Sequence, residues 1–300
     1  RAADPYRYED GVYALPDTQS FYLMFLRTDI LGNMGIDPPE TWEEFIAVSN
    51  RLQRNNLQVY ANGQLLYTTL LLQNGLSLYT DDLTCSTLTQ LASIRVFSQM
   101  TAWYTKYKLP VTADFYNRFR VGSMPIGIAD YTVYTQLKSM APEIDGRWTV
   151  MQIPGVRRAD GTIDHRSAGS GTGCSITRLS RDPDSAWRFL KWWTSAEIQS
   201  AYSASLESAI GPLGRLAVAN KASFDAMDWD DSMRDSILRQ QCSIAEIDEV
   251  PGGYYTSRCI TQAYWEVVEQ GGHAMESMMR WGTILDNEIA RKRAEYIPAG

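Results

Sequence analysis

The 300-residue chain has two histidines, His165 and His273, and four cysteines, Cys85, Cys174, Cys242 and Cys259, with no C-x-x-C spacing among them. A zinc site needs clustered nitrogen and sulfur ligands, and neither the number nor the spacing here supplies them. Up to two disulfides could form in an oxidising compartment. Buried free thiols are the plainer expectation, because cysteine packs as a small apolar residue. Long apolar runs are missing too: a bilayer span takes about 20 such residues, and the best candidate, LLYTTLLLQ, is short and carries threonines. Positive charge is also scarce, 28 Lys+Arg against 35 Asp+Glu giving a net charge of -7. That sign is wrong for neutralising phosphates and argues against nucleic acid and anionic membrane as partners.

Catalytic signatures are equally scarce. There is no nucleophile elbow, no H-E-x-x-H and no Ser or Cys with a local His partner. The glycine-rich SAGSGTG lacks the G-x-x-x-x-G-K-[ST] pattern that cradles phosphates. Glu43-Glu44 and Asp81-Asp82 are adjacent pairs whose side chains diverge on a helix or strand, so neither makes a paired acid and base. The chain reads as a non-enzyme with no metal and no cofactor. A glycan-active enzyme with two carboxylates remote in sequence is the alternative from that class.

What is present is an ordinary globular composition, 44% hydrophobic and 21% charged, long enough for two domains at roughly 100 to 200 residues each. Its opening residues, RAADPYRYED, have neither an initiator methionine nor an apolar leader core, and so read as a processed or excised start. YALPDTQSFYLMFL reads as an extended segment interrupted by the polar patch Asp17 to Ser20. In DPPETWEEF two prolines force an extended entry and Thr41 with Glu44 forms a capping box, so a helix starts at Thr41. A longer helix is predicted from about Thr87 to Tyr107, ended by Lys108-Leu109-Pro110. DFYNRFRVGSMPIGIADYTVYTQL reads as helix, strand, helix, and RWTVMQ as a strand. Asp182 caps a helix with Pro183 at its first position and Ala186, Phe189, Leu190 and Trp193 on its buried face; Thr194 and Glu197 open the next. From Ala263 to Arg293 the pattern is helical with a break at Gly271-Gly272. Short strands alternating with longer helices predict an α/β fold with a mostly parallel sheet.

Four stretches, DGVYALPDTQSFYLMFLRTDILGNMGIDPPETWEEF, FYNRFRVGSMPIGIADY, SRDPDSAWRFLKWWTSAEIQSAY and AIGPLGRLA, occur in the order and character of one family. The chain resembles the family 1 extracellular solute-binding proteins, the maltose-binding-protein-like receptors of ABC importers. The resemblance implies an α/β, periplasmic-binding-protein-like (type II) two-lobe fold. It also implies that the N-terminal lobe is incomplete, because nothing before DGVYALP matches the family's opening strand and helix series. On this reading residues 1–19 are a remnant of the N-terminal lobe with the crossing strand. Residues 20–178 form the C-terminal lobe, 179–250 are helices of the N-terminal lobe, and 251–300 return to the C-terminal lobe. The implied function is capture of a carbohydrate, an oligosaccharide above all, outside the cytoplasm, in the periplasm or anchored at the cell surface. The implied partner is an ABC importer permease. A sensory receptor domain uses the same fold and is the other alternative. An uncovered helix face in an incomplete lobe would favour a dimer.

Candidate ligand contacts follow. Asp130 and Tyr131 directly follow a strand, where α/β sheets bind ligands; Asp130 would accept from sugar hydroxyls and Tyr131 would stack on a ring, unless Asp130 merely caps the next helix. The resemblance places Tyr254, Tyr255 and Arg258 of PGGYYTSR, and Gln64 with Tyr67, on cleft-lining segments; loop anchoring and core packing are the respective alternatives. Asp17 and Gln19 interrupt an apolar strand, and a buried polar group needs a partner. Ser170 lies in the glycine-rich loop that brings backbone close to a ligand. Seventeen tyrosines against eight phenylalanines suit sugar binding, because tyrosine offers a ring face and a hydroxyl together.

Overall fold

The computed structural model describes residues 2–3, 6–8, 10–245 and 247–296. Packing divides the chain into two compact units: Arg1–Pro38, Asp114–Ile153 and Gly169–Glu246 form one, and Pro39–Ala113, Pro154–Ala168 and Ile247–Gly300 the other. Packing therefore groups 179–246 with parts of 20–178 and puts 247–250 in the other unit, a finer interleaving than the four consecutive segments implied by resemblance.

In the first unit, strand Tyr22–Leu26 is buried along Leu23, Met24, Phe25 and Leu26. Ile126–Asp130 and Thr149–Met151 flank it, both antiparallel, with Met24 opposite Ile128 on one side and Met151 on the other. The parallel pairing expected for these strands is thus corrected. Alternation predicts parallel strands only when each intervening helix covers the strand before it, whereas here Pro39–Ala113 belongs to the other unit. Phe25 packs against Phe115, Phe119 and Trp148 at ring separations of 6.0, 6.3 and 6.2 Å. Gly127 is required there, since a Cβ would overlap the Phe115 ring. Arg27, 6% exposed, donates to the Phe119 and Arg120 carbonyls at 3.0 Å each and forks onto Asp29. One guanidinium therefore satisfies the C-terminal carbonyls of helix Phe115–Arg120. The polar strand Leu15–Ser20 pairs antiparallel with Ser170–Cys174, so the glycine-rich stretch is itself a strand, with a register shift between Thr172 and Gly173.

The second unit is mainly helical. Trp42–Gln53 begins at the expected capping box, the Glu44 N–H donating to Thr41 Oγ1 at 3.3 Å and the Thr41 N–H to Glu44 at 3.2 Å. Trp42 is buried, stacks on Trp103 at 4.9 Å and donates through Nε1 to Gln73 Oε1 at 2.6 Å. Gln73 in turn donates to the Pro154 and Arg166 carbonyls, tying Pro154–Ala168 to helix Gly63–Gln73. The helix expected from Thr87 starts only at Leu91 and runs to Thr105, because Thr87 is turned back onto Leu78 and Ser77. The stretch from Ala263 divides as Thr256–Val268 and Ala274–Tyr296 around Gly271, whose φ is 71°.

Three further expectations change. Helix Pro183–Trp193 has its Asp182 cap and its proline, but none of its residues is buried; Phe189 is 56% exposed and Trp192 52%. The next helix, Ala196–Ile210, is capped by Ser195, while Thr194 Oγ1 donates back to Leu190. None of the four cysteines is in a disulfide, and of them only Cys259 is buried; burial pushes its thiol up to about 11.

Candidate functional site

Pro251, Gly252 and Gly253 turn the chain into helix Thr256–Val268, and the turn is dictated by crowding. Gly252 has a φ of 87°, and a Cβ on it would stand 2.9 Å from the Ile289 Cα and 3.0 Å from the Glu288 carbonyl. Only glycine meets both demands. The Tyr79 hydroxyl and Thr256 Oγ1, 2.7 Å apart and buried, secure the start of the helix. The turn then presents Tyr254, 68% exposed, with Tyr255 half-buried beside it at 6.2 Å between rings. The Arg258 guanidinium, one helical turn on and exposed, lies over the Tyr255 ring at 5.4 Å. Glu288 receives the Tyr254 hydroxyl and is forked by Arg291, and these two bonds, Arg291's first, hold its carboxyl down to about 2. Three of the sequence-nominated residues thus stand together as an open aromatic face beside a fixed cation. Glu288, which orients Tyr254, is 34 residues away in sequence and carries no local signal.

The other candidates divide. Tyr67 is fully buried, donates to the Ser93 carbonyl at 3.1 Å and meets Phe97 edge-on at 5.4 Å, so core packing has claimed it. Tyr131 is 1% exposed, with its ring against Phe21, Tyr134, Phe224 and Trp229, and cannot stack on a solute. The apolar run before each tyrosine drives it inward, and burial raises both hydroxyls above the ordinary tyrosine value. Asp130 accepts from the N–H of Thr132, the first residue of helix Thr132–Met140, at 2.9 Å and from the Ser20 hydroxyl, although the residue at the cap position is Tyr131. Asp17 accepts from Trp193 Nε1 at 2.8 Å, which anchors helix Pro183–Trp193. Gln64 is half-buried, its Oε1 covered and without a hydrogen-bond partner among the described residues. Gln19 and Ser170 line one crevice with Thr18 and Gly169, of about 20 Å³; that is room for about one water. Among the described residues no cluster of His, Cys, Asp and Glu could hold a metal.

Residues 1–226 match the family described as bacterial extracellular solute-binding protein. The chain belongs to that family. Among solved structures, the sugar-binding protein MalE of Xanthomonas citri is 16% identical with a TM-score of 0.79, over 100% of this chain and 76% of that one. A Thermotoga lettingae ABC transporter solute-binding protein bound to α-D-tagatose has a TM-score of 0.69 at 16% identity, over 95% of this chain and 74% of that one. Listeria monocytogenes Lmo0181, in complex with cycloalternan, has a TM-score of 0.74 at 15% identity, over 95% and 74%. No curated protein sequence matches the chain. The solute-binding protein therefore has the mixed α/β fold of MalE-like proteins, and its family is one of binders. No helix of its described residues is long and apolar enough to cross a membrane.

Proposed function

We propose that this solute-binding protein captures a soluble carbohydrate, an oligosaccharide, in the periplasm or at the cell surface, and presents it to an ABC importer permease. The observation that carries the reading is the exposed Tyr254 ring, set beside Tyr255 and Arg258 on a glycine turn that admits no side chain at Gly252. An aromatic face stacks on the C–H surface of a pyranose, and a neighbouring guanidinium donates to ring hydroxyls. Tagatose and cycloalternan in the neighbours' structures support the same ligand class.

Calorimetry with a panel of mono- and oligosaccharides tests this. Saturable binding of an oligosaccharide is expected, weakened at least tenfold by Tyr254→Ala, or about 1.4 kcal/mol. Affinity unchanged by Tyr254→Ala, no binding across the panel, or release of new reducing ends would each count against it.

A further inference from the structure

The first unit contains a cavity of about 430 Å³ remote in sequence from Tyr254, Tyr255 and Arg258. Its volume lies within the range of small-molecule pockets, roughly 300 to 1,000 Å³. Lys138, Asp145, Arg215, Asp228 and Asp230 give it a charged lining, and Trp229 and Pro212 an apolar one. Some of those polar groups are already paired.

Lys138 is. Its Nζ lies 3.1 Å from Asp145 and 3.0 Å from Asp230, and Asp230 also caps helix Asp231–Cys242 through the Ser232 N–H. Arg215 is only half engaged. Its side chain is 9% exposed, yet Nε and Nη2 converge on a single oxygen of Glu207, at 2.8 and 2.6 Å, and Nη1 makes no hydrogen bond among the described residues. Asp228 stands 3.7 Å from the same guanidinium with its side chain 98% exposed. Tyr134, fully buried on the cavity wall, has a hydroxyl with no hydrogen-bond partner among the described residues. The unspent groups are therefore one guanidinium edge and one phenol, both donors, and one open carboxylate.

A ligand that satisfies all three needs an anionic acceptor for Arg215 and Tyr134 and a cationic donor for Asp228. A simple anion would bring its charge against Asp228, a simple amine would bring its charge against Arg215, and a neutral polyol would use neither charge, whereas a ligand with one charge of each sign can meet both. We propose that this cavity binds a free α-amino acid, its carboxylate on Arg215 and Tyr134 and its ammonium on Asp228.

The test is calorimetry of the 300-residue chain against each of the twenty free amino acids, followed by the methyl ester and the N-acetyl derivative of any that binds. At least one amino acid should bind saturably, and the loss of either charge on the ligand should weaken it at least tenfold. Asp228→Asn should do the same, and its exposed position protects the fold, which circular dichroism checks; Tyr134→Phe should weaken binding about threefold. Carbohydrate affinity should be untouched by Asp228→Asn, so the two sites fail or succeed separately. No saturable binding by any of the twenty, equal binding of ester or N-acetyl forms, or an affinity indifferent to Asp228→Asn would overturn the proposal.

Discussion

Gly252 has the strongest constraint of any residue around the tyrosine face. Its φ of 87° is strained for any side chain, and a Cβ meets the backbone of Ile289 at 2.9 to 3.0 Å. Gly252→Ala should destabilise the protein by about 1 to 3 kcal/mol, read as a lower denaturant midpoint with an unchanged slope. Asp164 offers a pH test. Its side chain is 3% exposed, and burial alone would raise its pKa, but hydrogen bonds from Arg166 and Arg158 outweigh burial and hold it below the ordinary value. A carboxyl depressed on folding contributes stability that is present above its unfolded pKa of about 3.9 and lost as pH falls through the lower folded value. Denaturant midpoints should therefore fall on acidification below about pH 4, less steeply in Asp164→Asn; parallel curves for the two proteins would remove Asp164 from the acid response.

Two helices show how far a start signal reaches. Thr41 is 4% exposed and both halves of its capping box are made, so Thr41→Ala should cost about 1 kcal/mol, with Thr41→Ser restoring most of it; an unchanged unfolding midpoint for Thr41→Ala would show that Trp42 packing alone starts the helix. Pro183–Trp193 has equally sound chemistry at its start, Asp182 accepting from the Ser185 N–H at 3.0 Å, yet its apolar side chains lie open. A cap decides where a helix begins. It says nothing about whether the apolar face finds a cover, which depends on surfaces from elsewhere in the chain.

At the scale of the molecule, that open face is the main liability. Trp187, Phe189 and Trp192 are 44%, 56% and 52% exposed on one helix, and Ile210 on the next is 58% exposed. The Phe189 and Trp192 rings lie 5.6 Å apart, and exposed apolar surface of this kind drives association. The protein should bind a hydrophobe-sensing dye and show a light-scattering mass that rises with concentration. Replacing Trp187, Phe189 and Trp192 by Gln should abolish both effects and move the unfolding free energy by no more than about 0.5 kcal/mol. Dye binding that survives the triple replacement would place the sticky surface elsewhere.

Much of this was legible in the chain itself because local chemistry decides it. The prolines and capping box before Trp42, the Asp182 and Pro183 start, and the break at Gly271 all act within a few residues, and the motif order of the solute-binding family is written along the sequence. Tyr254, Tyr255 and Arg258 were nominated through the family resemblance, and the contact between Tyr255 and Arg258 is a local one, since a helical turn brings residues three or four apart onto one face. The burial of Tyr67 and Tyr131 was not legible, because ring and hydroxyl suit a core and a ligand equally, and Phe97, Phe21 and Trp229 had to arrive from other segments to decide between them. The same holds for the antiparallel ladders on Tyr22–Leu26 and for the guanidinium of Arg215 beside Asp228 and Tyr134. Pairings across many tens of residues are set by how separate stretches of the chain pack within each unit, and no local pattern of side chains encodes that.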